Sequence, residues 1–217
     1  MEEYNKSFKY WKTQEVEEVF GIQLTKNNHR LEDWLKATCP ISDDEKKQLE
    51  ILQKRLLSRV SYWNEAAIQF YFIGPLIGMV NYDTDQYNSF LEQKVLLKIN
   101  ESLTITGNVD FLVATGKQIP RLPFFTLHEY KPEPNVSADP RGQLLISMVA
   151  AQKQNQAKEI DEPLYGVYTI GRLWFFILLE GKTYSESLAY DATQEDLLEI
   201  YCILKKVKEY IEIQISK

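Results

Sequence analysis

The feature that most constrains the fold of this chain is a change in hydrophobic period near residue 89. Before that point apolar residues recur at helical spacing, and beyond it they follow the alternation typical of strands. Five strand-like segments follow, and one capped helical segment separates the third from the fourth. The predicted strands are 89–99, 103–115, 124–131, 165–170 and 173–179, and Gly181 leaves room for a further one.

Helix ends are marked by their own signals. Gly21 ends the first helix, and Ser42 with Glu45 forms a capping box at the start of another. Asp139 and Pro140 supply a cap and a first-turn proline for the helix between the strands. The predicted helices are 8–20, a helix opening at residue 42, 62–73, 141–154 and a terminal helix from residue 193.

This order of elements predicts an α/β (α+β) domain with a central mixed sheet flanked by helices. Residues 1–60 are predicted to form an N-terminal helical extension packed on a core of residues 61–217. A further hypothesis is that this extension docks a protein partner through its aromatic residues, which are Trp11, Phe20 and Trp34.

Charge and composition exclude several classes of protein. Lys plus Arg number 25 and Asp plus Glu number 31, which gives a net charge of −6. This charge excludes a strongly basic protein that coats nucleic acid, but it does not exclude a local basic groove. Two cysteines and two histidines do not readily supply a zinc site. We expect Cys39 and Cys202 to be buried and unpaired, a pattern that predicts a cytoplasmic protein. The longest apolar run, 173–179, is too short to cross a membrane.

Charged residues interrupt two of the apolar strands. Glu129 and Lys131 are two apart at the end of an apolar strand, so their side chains project to one face beyond Phe125 and Leu127. Asp110 interrupts the preceding strand in the same way. If the two strands are antiparallel neighbours, Asp110 and Glu129 approach each other, and a divalent cation is the usual way to keep both ionised.

The order of these residues resembles the PD-(D/E)XK nuclease superfamily, including RecB-like nuclease domains. The resemblance rests on Gly107-x-x-Asp110, then Glu129-x-Lys131, then Gln143 on the following helix, with Glu65 on an earlier helix. It covers residues 60–180 and implies a restriction-endonuclease-like core of helix, three antiparallel strands, helix and strand. The N-terminal helices lie outside it.

The resemblance implies a Mg²⁺-dependent or Mn²⁺-dependent nuclease that hydrolyses phosphodiester bonds, with DNA as the expected substrate. Asp110, Glu129, Glu65 and the carbonyl of Tyr130 are the implied metal ligands. Lys131 would orient a water or neutralise charge on the phosphate, and Gln143 would position water or phosphate. The alternative is an inactive module of the same fold that binds nucleic acid or a protein. A structural ion pair at the end of the sheet is the other explanation for the charged cluster, and the surrounding elements favour the metal site over it.

Overall fold

In the computed structural model, the described residues are 4–98, 103–133 and 139–216. Their strands are β1 (Tyr4–Ser7), β2 (Gln23–Leu24), β3 (Tyr87–Lys98), β4 (Leu103–Thr115), β5 (Arg121–Lys131), β6 (Leu164–Ile170), β7 (Leu173–Glu180), β8 (Thr183–Glu186) and β9 (Tyr190–Asp191). Their α-helices are α1 (Thr13–Phe20), α2 (His29–Leu35), α3 (Asp43–Arg59), α4 (Glu65–Ile68), α5 (Gly74–Val80), α6 (Pro140–Gln156) and α7 (Asp196–Ile215). The last residue of the strand predicted over 89–99 lies outside the described residues.

The strands form one mixed sheet in the order β1-β4-β5-β6-β7-β8-β2, with β3 paired to β4 and β9 paired to β7. Strands β3, β4 and β5 are antiparallel neighbours. Helix α6 then carries the chain to β6, which pairs with β5 in parallel. The predicted α/β class, with a central mixed sheet flanked by helices, is therefore confirmed.

The sheet has a hydrophobic core on each face. One core joins α2, α3, α5 and α7 to the sheet and includes the buried rings of Trp34, Phe72 and Trp174. The other joins α6 and the N-terminal segment to the opposite face and includes Phe8 and Leu144. Burial on two faces explains why β6 and β7 are apolar almost throughout rather than alternating.

The first sixty residues contribute to the sheet as well as to the helical layer. Strand β1 pairs in parallel with β4, and β2 pairs in parallel with β8, so the extension adds two short strands that were not predicted to its helices. Strands this short carry too few residues to show a period. Gly107 faces the Phe8 ring so closely that a Cβ would lie 2.3 Å from it, which ties the N-terminal segment to β4.

The aromatic residues proposed as partner anchors are inside the protein. Trp11, Phe20 and Trp34 are all buried, and the Trp34 indole donates a hydrogen bond to the Ile203 carbonyl. Their apolar area is already removed from water by this chain. The prediction that these three side chains dock a partner is therefore wrong.

The helix predicted to stop at Gly74–Pro75 continues to Val80. Residues Gln69–Ile73 form a π-helical turn between α4 and α5, and Gly74 donates to the carbonyl of Gln69. Proline cannot donate to the carbonyl four residues back, here that of Tyr71. Arg55 Nη1 donates to this carbonyl at 3.2 Å instead. The wider turn and this external donor allow the helix to pass through Pro75.

An irregularity at Glu92 interrupts the predicted alternation of β3. Leu91 pairs with Phe111 and Gln93 with Val109, so the register is the same on both sides of Glu92, which is unpaired and has a φ of 52°. Phe90 and Val95 both lie in the core on the α6 side, whereas Leu91 is 67% exposed. Strict alternation would put Phe90 and Val95 on opposite faces, so the left-handed residue between them changes which side chains face the core.

Cys39 and Cys202 form a disulfide, so the prediction of unpaired cysteines is wrong. The bond joins the segment before α3 to α7 across 163 positions of sequence. Sequence separation alone gave no sign that the two thiols meet. Disulfides persist mainly in oxidising compartments, so this bond removes the unpaired cysteines on which the prediction of a cytoplasmic location rested, and the location itself stays a prediction. Among the described residues, no helix is both long and apolar enough to cross a membrane.

Candidate functional site

Glu129 and Lys131 lie together at the end of β5. The Lys131 Nζ is 2.8 Å from Glu129 Oε1, and Glu129 is almost completely buried. Leu127 packs in the core on the α6 side, whereas Phe125 packs in the opposite core. Phe125 therefore does not share a face of the sheet with Leu127, contrary to the prediction, because the pairing of β4 with β5 has register shifts there.

Asp110 on β4 meets β5 through the backbone. Its Oδ2 accepts a hydrogen bond of 2.7 Å from the Tyr130 N–H, so the carboxylate contacts the residue between Glu129 and Lys131. Burial raises the pKa of Asp110 to about 6, against the opposing effects of this hydrogen bond and of the Lys131 charge. The predicted approach of Asp110 to the Glu129–Lys131 pair is confirmed.

Glu129 is the more strongly perturbed acid. Burial and then the nearby Asp110 charge raise its pKa to about 8, although Lys131 acts in the opposite direction. Burial lowers the pKa of Lys131, but the surrounding carboxylates, Glu129 first, more than offset this and leave it raised. Apart from its ion pair, Glu129 Oε1 accepts no well-oriented hydrogen bond from the described residues. It is a buried acceptor with unused capacity.

Glu65 reaches the site from the first turn of α4. Asn64 caps this helix by accepting a hydrogen bond from the Ala67 N–H, so the helix begins at Glu65. Glu65 Oε2 lies 3.1 Å from Lys131 Nζ. Lys131 therefore bridges a buried acid and a half-exposed one. In this arrangement Glu65 holds the lysine.

Neither Gln143, the remaining predicted site residue, nor the nearby His128 forms a hydrogen bond with the acid pair in the described parts of the chain. Gln143 is buried near the start of α6, and its Oε1 accepts no hydrogen bond from the described residues. His128 is fully buried, and its Nδ1 lies 2.6 Å from the Tyr130 hydroxyl. Burial lowers the pKa of His128 to about 3, so the ring is neutral and serves the core.

A cavity of about 600 Å³ opens beside Asp110. Its walls include Tyr130 and the apolar side of the α4–α5 segment, among them Phe70 and Ile73. Glu92 also lines it and, as a like charge, adds to the raised pKa of Asp110. Glu92 and Asp110 are the residues left unpaired between the Leu91–Phe111 and Gln93–Val109 pairs of β3 and β4, and nothing local in the sequence marks this irregularity.

The residues fit a hard divalent cation by their donor chemistry. Mg²⁺ is commonly bound by one or two carboxylates, with waters and substrate phosphate completing its shell. Asp110 and Glu129 are such a pair, and among the described residues the buried Glu129 Oε1 has its Lys131 ion pair but no further hydrogen bond. No group of three or more His, Cys, Asp or Glu side chains within the described ranges is arranged to hold a metal. A ligand set that includes Glu65 is thus not preformed.

Comparison with known proteins gives no independent assignment. No protein-family model matches the chain, and no curated protein matches it. Function is therefore inferred from the geometry of the site and from the order of the elements around it.

Proposed function

We propose that this protein is a metal-dependent nuclease of the PD-(D/E)XK type that hydrolyses phosphodiester bonds in DNA. The observation that carries the proposal is the meeting of Asp110, Glu129 and Lys131 on adjacent strands, with both acids buried and their pKa values raised. Buried like charges are costly without a purpose. The succession of β3, β4, β5, α6 and parallel β6 supports a restriction-endonuclease-like core.

Asp110, Glu129 and the carbonyl of Tyr130 would hold Mg²⁺ or Mn²⁺. The bound ion would supply Lewis-acid stabilisation of negative charge on the phosphate. Lys131 stays protonated at neutral pH because the surrounding acids raise its pKa. Its ammonium is thus available to orient an attacking water or to neutralise charge on a phosphate oxygen. Glu65 holds Lys131 from the side of α4.

A second candidate is an inactive module of the same fold that binds nucleic acid. The observation in its favour is that Lys131 already compensates the acids, at 2.8 Å from Glu129 and 3.1 Å from Glu65. A lysine ammonium in that position can take the place of a metal ion as the partner of two carboxylates. This candidate predicts nucleic-acid binding without hydrolysis.

The deciding experiment is hydrolysis of end-labelled single-stranded DNA, duplex DNA and RNA with Mg²⁺ or Mn²⁺. We expect cleavage by the native protein and its loss, by at least about 100-fold, in Asp110→Asn and Lys131→Ala. The matched controls are Glu180→Gln and Lys182→Ala, which alter the same acid-x-lysine spacing at a turn outside the site. Failure of every substrate, or equal loss in the controls, would reject the nuclease.

A further inference from the structure

Between Arg55 and Tyr71, beside the proposed active site, the surface carries exposed aromatic rings. Tyr62 is 83% exposed, Phe70 74% and Tyr71 45%. Large aromatic side chains seldom stand in water in such a group without a binding role. The rings belong to the segment that supplies Glu65, so they are fixed relative to the acids.

Two arginines lie against these rings. Arg55 and Arg59, one turn apart on α3, line a pocket of about 350 Å³ together with Trp63 and Tyr71. Arg55 Nη1 is anchored on the Tyr71 carbonyl at 3.2 Å. Neither guanidinium forms an ion pair with any residue in the described parts of the chain, so their charge is available to an anion. We call Arg55, Arg59, Trp63, Phe70 and Tyr71 the aromatic ledge.

The aromatic ledge is continuous with the cavity beside Asp110. The rings of Trp63 and Tyr71 stack with centroids 5.7 Å apart and an interplanar angle of 24°. Tyr71 contacts Phe70 edge to face at 5.0 Å, and Phe70 lines the cavity that Asp110 opens into. A row of rings therefore leads from the arginine pocket to the cavity beside Asp110.

We infer that the aromatic ledge binds single-stranded nucleic acid and leads it toward Asp110. Unpaired bases stack on aromatic side chains, and arginines contact the phosphates between them. The positive charge of Arg55 and Arg59 favours a polyanion over an apolar peptide. Duplex bases are already stacked on each other and present no free face to the rings. The inference deepens the proposed function by naming the substrate as a single strand.

Binding is measured apart from hydrolysis, in EDTA, by fluorescence anisotropy of labelled oligothymidylate, oligouridylate and a DNA duplex of equal length. We expect either single strand to bind more tightly than the duplex, and the two single strands identify the preferred sugar. Trp63→Ala weakens binding about 10-fold or more, whereas Trp63→Phe, which keeps a stacking ring, retains most of it. This second variant separates lost stacking from lost folding.

The salt dependence of binding separates the contribution of the arginines from that of the aromatic rings. Arg59→Gln weakens binding and lowers the slope of log affinity against log salt by about 0.7, while Trp63→Ala leaves that slope unchanged. The matched control changes an exposed lysine–aromatic pair elsewhere, Lys9→Gln with Tyr10→Ala, whose ammonium lies 4.9 Å from the ring centroid. We expect binding by this control to equal that of the native protein.

Three outcomes would overturn the inference. They are absence of single-strand binding, tighter binding of the duplex, and ledge variants that bind like the native protein, as would follow if a protein partner occupies the surface. Each is separate from the cleavage result, because EDTA removes the metal that hydrolysis requires. Loss of cleavage with intact ledge-dependent binding would reject only the nuclease.

Discussion

The amide of Tyr130 donates a 2.7 Å hydrogen bond to the Asp110 carboxylate, which places the acid of one strand against the backbone between Glu129 and Lys131 on the next. This single contact joins the two charged positions that the sequence separates. It also brings the Asp110 charge close enough to raise the pKa of Glu129 further. The ionisation of Glu129 therefore depends on the charge of Asp110.

Glu129→Gln is expected to stabilise the metal-free protein at alkaline pH. The pKa of Glu129 is raised to about 8, so the native fold binds this proton more tightly than the unfolded chain does. Its contribution to the free energy of unfolding falls as pH rises from about 4 to 8. We expect a gain of about 1–3 kcal/mol at pH ~8 and little at pH ~4.5, from thermal unfolding in EDTA. A variant less stable than the native protein at alkaline pH would contradict this.

Binding of Mn²⁺ is expected to release protons. A carboxylate with a pKa of about 8 must lose its proton before it coordinates a cation, and Asp110 follows with a pKa of about 6. Affinity should rise up to about 10-fold per pH unit between pH ~6 and ~8. Calorimetry in two buffers of different ionisation enthalpy measures the released protons.

The control for this metal experiment is Glu180→Gln, which should bind Mn²⁺ like the native protein. Asp110→Asn should show no saturable binding. Binding that is independent of pH, or that survives Asp110→Asn, would place the metal elsewhere.

The capping box of α3 makes a measurable and pH-dependent contribution to stability. The Tyr201 hydroxyl donates to Glu45 Oε1 at 2.6 Å, and this bond, with those from Ser42, lowers the pKa of Glu45 to about 2. The stabilisation is present above about pH 4.5 and is lost as pH falls toward 2. Glu45→Gln should cost about 1 kcal/mol at neutral pH in urea unfolding. Glu50→Gln, an exposed acid on the same helix, should change stability by less than about 0.5 kcal/mol.

Breaking the Cys39–Cys202 disulfide should destabilise the fold. The bond closes a loop that spans 163 positions, and its removal frees the unfolded chain. We expect Cys39→Ser with Cys202→Ser, or reduction of the native protein, to lower the free energy of unfolding by about 3–5 kcal/mol. A thiol titration of the denatured, unreduced protein should find no free thiol. Two free thiols would show that the bond does not form.

The irregularity in β3 costs stability because Glu92 has a φ of 52°, in the left-handed region. Glu92→Gly should therefore stabilise the protein by about 0.5–1 kcal/mol in urea unfolding. Glu92→Gln, which removes the charge but keeps the strained backbone, separates the two effects. If both variants gain equally, repulsion from Asp110 is the cause rather than the backbone.

The sequence by itself determined the helices with clear caps, the central strands and the pairing of Glu129 with Lys131, because these depend on residues close together in the chain. Ser42 with Glu45 and Asp139 with Pro140 marked their helices correctly. The α/β class followed from the order of these elements. Such local signals do not depend on which other segments of the chain pack against them.

Only the tertiary structure decided the features that depend on distant segments. The Cys39–Cys202 bond, the burial of Trp34 under Ile203, and the turn of Glu92 toward Asp110 each require elements brought together by the sheet. The passage of a helix through Pro75 likewise depends on Arg55, one helix away. Backbone groups and thiols find these partners by proximity in space, and the order of residues along one segment does not record that proximity.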